Sequence, residues 1–201
     1  DRGGGWLGSR DFGHAVSEDL YSWTPLDSVI PTGPTGSWDG NIVFAPHVVE
    51  KGGVYYMLYT GLDDHWNQKI GLATSTDLFE WEKYSGNPVV EPQKWSDRNL
   101  GVDKIGLGAT CRDPMVFEDT SNSRYLMYYT AAMEDRRPCI AVAQSEDLVT
   151  WDDFGPTYVE DDMTYNRLES PFICENAGQY YLFYSGKGGP KTMGANPDDF
   201  S

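Results

Sequence analysis

A chain of 201 residues has room for one domain, and 15 Lys and Arg against 31 Asp and Glu leave it with a net charge of −16. A surface that acidic repels phosphate backbones and anionic lipid headgroups, which excludes nucleic acid and membrane surfaces as partners. No apolar run approaches the roughly 18 residues of a membrane span, and Asp1-Arg2-Gly3-Gly4-Gly5 has no basic-then-apolar signal pattern.

In chain order the elements form a repeat. Residues 12–23 end in Ser17-Glu18-Asp19-Leu20-Tyr21-Ser22-Trp23. Ala45-Pro46 then opens an apolar run, residues 55–59 form an aromatic run and residues 70–74 a small apolar run. Ser75-Thr76-Asp77-Leu78-Phe79-Glu80-Trp81 closes that unit. Asp113-Pro114, residues 125–129, residues 140–143 and Ser145-Glu146-Asp147-Leu148-Val149-Thr150-Trp151 repeat the order. Ser170-Pro171 and residues 180–184 begin it again.

Each run is short, rich in β-formers and bounded by Gly, Asp, Asn or Pro, and no longer stretch carries an i, i+3, i+4 stripe. The spacing predicts an all-β chain of four antiparallel strands per unit, the blade of a β-propeller whose first strands line a central channel. An open sandwich of about a dozen strands is the alternative that the same runs permit. Pro46, Pro114 and Pro171 lie 68 and 57 residues apart, so the chain holds about three units where closure takes at least four. The expected partition of this single, incomplete domain is 1–36 for the end of blade 1, 37–100 for blade 2, 101–165 for blade 3 and 166–201 for the start of blade 4.

With 7 Trp, 13 Tyr and 8 Phe, the chain is too aromatic for a disordered acidic segment. Tyr and Trp, apolar bodies with polar tips, suit half-wet strands and stacking on sugar faces alike. Cys111, Cys139 and Cys174 are odd in number, widely spaced and without a Cys-x-x-Cys pair, which argues for buried thiols rather than zinc or a disulfide framework. No carboxylate set has calcium-like spacing, so neither metal nor cofactor is expected.

Antiparallel strands bring the residues before each proline to one mouth of the channel, with the loops near 61–69, 131–138 and 186–192. Aligned on the prolines, Phe44-Ala45, Arg112-Asp113 and Glu169-Ser170 share one slot, and the charges fall where the repeat is broken. Asp113 and Glu169, from adjacent blades, are therefore the candidate catalytic pair. Two carboxylates on one cavity are the minimum for protonating a leaving oxygen while attacking, or activating water, at a sugar carbon. Trp38-Asp39, ahead of blade 2, and Trp66, in a mouth-facing loop, are candidate sugar contacts, each set against a plain turn or loop. His47 reads as a satisfied core histidine, and Asp161-Asp162 and Asp198-Asp199 as solvated acidic pairs. The recurrent Ser-x-Asp-Leu-x-x-Trp segments read as architecture, because a catalytic residue need occur only once.

His14-Ala15-Val16-Ser17-Glu18-Asp19-Leu20-Tyr21-Ser22-Trp23, Tyr59-Thr60-Gly61, Trp81-Glu82-Lys83-Tyr84-Ser85-Gly86-Asn87-Pro88-Val89-Val90, Cys111-Arg112-Asp113-Pro114 and Glu169-Ser170-Pro171 together resemble the furanosidase superfamily, glycoside hydrolase families 32, 68 and 43, over nearly the whole chain. The resemblance implies a five-bladed propeller that cleaves furanoside-type bonds in oligo- or polysaccharides in the manner of a β-fructosidase. A Ser rather than a Cys after Glu169 departs from the family 32 pattern and keeps an inverting, family 43-like arabinofuranosidase or xylosidase as an alternative. A carbohydrate-binding propeller without catalysis is the other alternative.

The same resemblance makes Asp113 the acid that stabilises the transition state or orients the proton donor, Glu169 the proton donor with a raised pKa, and Arg112 a holder of substrate hydroxyls or of Asp113. It implies a third acid in an Asp-Pro context upstream of His14. The sole Asp-Pro here is Asp113-Pro114, and Asp1 and Asp11 do not match. The expectation is a piece of a longer enzyme, completed by a missing segment or another chain, and placed outside the cell or in the periplasm as polysaccharide degradation suggests.

Overall fold

The computed structural model describes residues 11–96, 110–161 and 167–187. No α-helix occurs among them. The strands are β1 (Phe12–Val16), β2 (Thr24–Val29), β3 (Ile42–Lys51), β4 (Val54–Leu62), β5 (Gln68–Ser75), β6 (Glu82–Lys83), β7 (Cys111–Asp119), β8 (Arg124–Ala132), β9 (Pro138–Ser145), β10 (Asp152–Val159), β11 (Arg167–Asn176) and β12 (Gln179–Lys187). β3 to β6 and β7 to β10 form two four-stranded antiparallel sheets in chain order, flanked by the two-stranded sheets β1-β2 and β11-β12. The first strands pack in succession, β3 against β7 and β7 against β11, as the inner strands of propeller blades do.

Alternation along the strands explains why the sheets stack. In β4, Leu58 is fully buried in one core with Ile70, Leu72, Cys111, Val116 and Met127, between the two four-stranded blades. Its neighbours Met57 and Tyr59 point the other way, into a second core with Phe12, Ile30, Val43 and Ala73. A strand covered on both faces needs apolar residues at successive positions, hence the aromatic runs that mark β4 and β8 in the sequence; in β12 the matching Tyr180, Tyr181 and Phe183 stand exposed. Each fully buried side chain of this size contributes about 1.5–3 kcal/mol.

The Ser-x-Asp-Leu-x-x-Trp segments are architectural. Ser75 Oγ accepts from the N–H groups of Asp77 and Leu78, and Asp77 Oδ1 accepts from those of Phe79 and Glu80. The same bonds recur after Ser17 and Ser145. With so many donors aimed at it, Asp19 is held down to about 2, first by the Ser22 N–H and then by that of Tyr21. The central Leu sits at positive φ in all three turns, 65° at Leu20, 69° at Leu78 and 68° at Leu148.

Candidate active site

Sequence reading puts each X-Pro pair at the start of its strand; the structure puts it inside. Phe44 faces Thr60 but His47 faces Leu58, Arg112 faces Thr130 but Met115 faces Tyr128, and Glu169 faces Ser185 but Phe172 faces Phe183. One extra residue is therefore accommodated in each inner strand, a β-bulge, where a proline without an N–H breaks no ladder bond. The residue before the proline has φ of 50° at Ala45, 57° at Asp113 and 53° at Ser170. For a residue with a Cβ that conformation costs about 1–2 kcal/mol, and all three blades retain it. The bulge bends the strand and re-aims the two residues ahead of the proline.

In β7 and β11 those residues carry charge. Arg112 is buried, its side chain 7% exposed, and its guanidinium lies between two carboxylates: Nε is 3.6 Å from Asp113 Oδ2 and Nη2 is 3.2 Å from Glu169 Oε1. Nη2 also donates to the Leu168 carbonyl at 3.2 Å, and Nη1 to Gln68 Oε1 at 3.3 Å. Burial pushes the Asp113 carboxyl above its ordinary value and the nearby Glu169 charge adds to this, while Arg112 and the Ser170 N–H pull it down without cancelling the rise. Glu169 stands at the wet end, its side chain 39% exposed against 14% for Asp113. The pair is thus one enclosed acid and one accessible acid, joined by a fixed cation.

The same residues join the blades. The Asp113 N–H donates to Thr60 Oγ1 at 3.0 Å, and the Ser170 N–H donates to Asp113 Oδ2 at 3.0 Å. Thr60 and Thr130 hold the same register slot, so a plain repeat would give the Ser170 N–H to Thr130. Asp113 takes it instead, and the buried Thr130 hydroxyl lies near that carboxylate and helps to pull its pKa down, without a hydrogen bond of full geometry between them.

Sequence reasoning missed Gln68, fully buried, whose Oε1 accepts both from Arg112 and from the Cys111 N–H at 3.3 Å. The signal was in the repeat: Gln68 opens β5 where Pro138 opens β9, a polar residue at a buried slot. Trp66 lies half-buried two residues before Gln68, in a turn built on Asp63, whose Oδ1 accepts from the His65 and Asn67 N–H groups. The loop beyond residue 187 lies outside the described residues.

Trp38 and Asp39 are not brought to the carboxylates. A Cβ on Gly61 would come within 2.3 Å of the Trp38 ring, and one on Gly71 within 2.4 Å. Thr60 and Gly61 are successive residues, so Trp38 and Asp113 lie against opposite faces of β4. Asp39, buried, accepts from Lys83 Nζ at 2.6 Å and from the Tyr59 hydroxyl at 3.2 Å. Both residues serve the packing of blade 2 against β1-β2. His47 is half-buried and bonds toward the Val116 backbone of the next blade, with burial holding its imidazole below its usual pKa. Asp161 is paired with Arg137, not merely solvated; Asp162, Asp198 and Asp199 lie outside the described residues. Among the described residues, no cluster of three or more His, Cys, Asp or Glu has a metal-binding arrangement.

Against known proteins, the profile described as "Glycosyl hydrolases family 32 N-terminal domain" matches residues 3–192. A levanase of Bacillus sp. (strain L7) is 30% identical over 98% of this chain and 22% of its own length. A 1,2-beta-oligomannan phosphorylase of Thermoanaerobacter sp. (strain X514) is 31% identical over 72% of this chain and 41% of its own. A Bombyx mori GH32 beta-fructofuranosidase structure superposes with a TM-score of 0.69 at 21% identity, covering 90% of this chain and 36% of that one. The chain thus spans less than half the length of each.

Proposed function

The chain belongs to glycosyl hydrolases family 32 through the N-terminal domain of that family, and from that premise we propose that it supplies two of the acids with which a β-fructosidase cleaves furanoside bonds in oligo- or polysaccharides. The supporting observation is the buried Arg112 held between Asp113 and Glu169, on the matching bulges of adjacent blades.

Glu169, the accessible acid, donates a proton to the departing glycosidic oxygen and regains one from water. Asp113, enclosed and fixed through the Ser170 N–H, faces the positive charge that develops on the sugar ring and is worth most there, where little water screens it. Arg112, anchored by Gln68 and the Leu168 carbonyl, fixes the spacing of the two carboxylates and does not itself react. An acidic, aromatic mouth suits a neutral polyhydroxy substrate. Asp113, Glu169 and Arg112 do not include the nucleophile that a retaining reaction requires.

The test is hydrolysis of sucrose, levan and an aryl arabinofuranoside by the protein, with and without inorganic phosphate, alongside Glu169→Gln and Asp113→Asn. Each substitution should lower kcat by about 10²–10⁴ on a β-fructoside. Wild-type turnover in either variant overturns the assignment. Cleavage of the arabinofuranoside alone moves the reading to the family 43-like alternative, and acceleration by phosphate moves it to phosphorolysis.

A further inference from the structure

A cavity of about 370 Å³ opens on the outer part of the β3 to β6 blade, lined by Val54, Thr74, Thr76, Glu80, Trp81 and Glu82 among others. It is remote from the carboxylates. Val54 begins β4 and Thr60, six residues on, accepts from the Asp113 N–H, so the two places are roughly 20 Å apart at about 3.3 Å per residue.

The neighbouring blade explains why the space is open. Tyr55 faces Ser75 as Tyr125 faces Ser145, so Val54 matches Arg124, Thr74 matches Gln144 and Trp81 matches Trp151. In the later blade Arg124 Nη1 donates to Gln144 Oε1 at 2.8 Å and Nε to Asp119 Oδ2 at 2.8 Å, so two long, tied side chains fill the place. In the earlier blade a valine and a threonine leave it empty.

The lining selects a class of ligand. The Trp81 Nε1–H is committed to the Leu78 carbonyl at 3.0 Å, which pins the indole and leaves carbon surface for the cavity. Glu80 and Glu82 offer carboxylate acceptors, and Thr74 and Thr76 offer hydroxyls that donate or accept. Among the described residues no Lys or Arg lines the space, and the carboxylates repel anions. Aromatic carbon beside hydroxyl-seeking acceptors suits a neutral sugar ring. The volume, near the lower end of the range for small-molecule sites, suits one or two rings.

We propose that this cavity is a non-catalytic saccharide-binding site that holds a second stretch of the polymer cut at the mouth. The proposal rests on the hydrolase reading for the identity of the sugar. Tethering raises the local concentration of polymer at the mouth and does nothing for a disaccharide too short to reach both places.

The test borrows the Arg124–Gln144 pair of the later blade: Val54→Arg with Thr74→Gln should fill the cavity, and because Lys51 stands here where Asp119 holds Arg124 there, melting checks that the variant folds. Calorimetry uses a levan-derived oligosaccharide on Glu169→Gln protein, with and without the filling pair. Filling should weaken binding about tenfold or more, and in the active protein raise KM for levan about fivefold while leaving KM for sucrose and both kcat values unchanged. No binding to Glu169→Gln protein, or binding and levan KM indifferent to filling, overturns the proposal. Binding that filling abolishes in a protein that hydrolyses no fructan leaves the cavity standing and sinks the hydrolase reading instead, so the two failures are separable. Binding of a lysine-rich peptide in preference to the sugar would make the carboxylates a cation site and overturn the proposal as well.

Discussion

Blades β3 to β6 and β7 to β10 share the pairing of their inner three strands, yet only the later one carries charge at its bulge. Both have the bulge at the inner proline, the Ser-x-Asp-Leu-x-x-Trp turn and a buried second-strand tyrosine bonded to a carboxylate. Where the earlier blade has Phe44-Ala45, the later has Arg112-Asp113. The lesson is that the repeat makes a strained, re-aimed slot in every blade, and the side chains placed there decide whether it packs or reacts.

The largest break in that comparison is Arg112→Phe, which gives the later blade the earlier blade's residue. It strands a buried acid and removes the spacer between the two carboxylates. Activity on β-fructosides should fall by at least about 10²-fold, and urea unfolding should show a loss of about 3 kcal/mol, as for a buried pair deprived of one partner. Retained activity would mean that the bulge alone positions Asp113 and Glu169.

Next in size is the tyrosine's acid. In the earlier blade Asp39 sits under Tyr59 and Lys83; in the later, Asp153 sits under Tyr129, with the Trp95 Nε1–H at 3.1 Å and the Gly155 N–H at 2.8 Å. Asp39→Ala leaves a partly exposed Lys83 unpaired and should cost about 2 kcal/mol. Asp153→Ala loses only bonds to neutral donors and should cost about 1–2 kcal/mol. Melting curves rank them, and kcat should move in neither.

The smallest effect has the opposite sign. The fold holds Asp113 above its ordinary pKa, so its contribution is fully present below the unfolded value of about 3.9 and is lost as pH rises through the folded one. Above the folded value the protein bears the cost of a buried charge. Asp113→Asn should therefore melt at or slightly above wild type at pH 7, the difference vanishing near pH 3, even as it loses activity. A lower melting temperature at both pH values would assign Asp113's structural weight to its bond with the Ser170 N–H instead.

Much of this was legible in the sequence because it recurs. Short runs of β-formers, turn residues with side-chain acceptors and a proline in each inner strand give three chances to see each element. Breaks in the repeat then isolated Arg112, Asp113 and Glu169. Gln68 stayed hidden because a lone glutamine looks the same in sequence whether it is solvated or buried against a guanidinium. Trp38 shows the converse: an aromatic beside an Asp and a Gly reads as a sugar platform, and nothing in the sequence signals that its ring covers two glycines in the next strands. The bulge was invisible because X-Pro marks a turn as readily as an irregular strand.

The Asp113 carboxylate that faces the mouth is also the acceptor that closes the seam between β7 and β11. Its aim therefore cannot be adjusted apart from the angle between two plates of sheet. On the proposed reading a substitution in that seam should change the alignment of the two carboxylates, so tolerance for drift should be lowest along the joint itself. In this chain accuracy of chemistry is a property of assembly, inherited from how squarely one blade sits on the next.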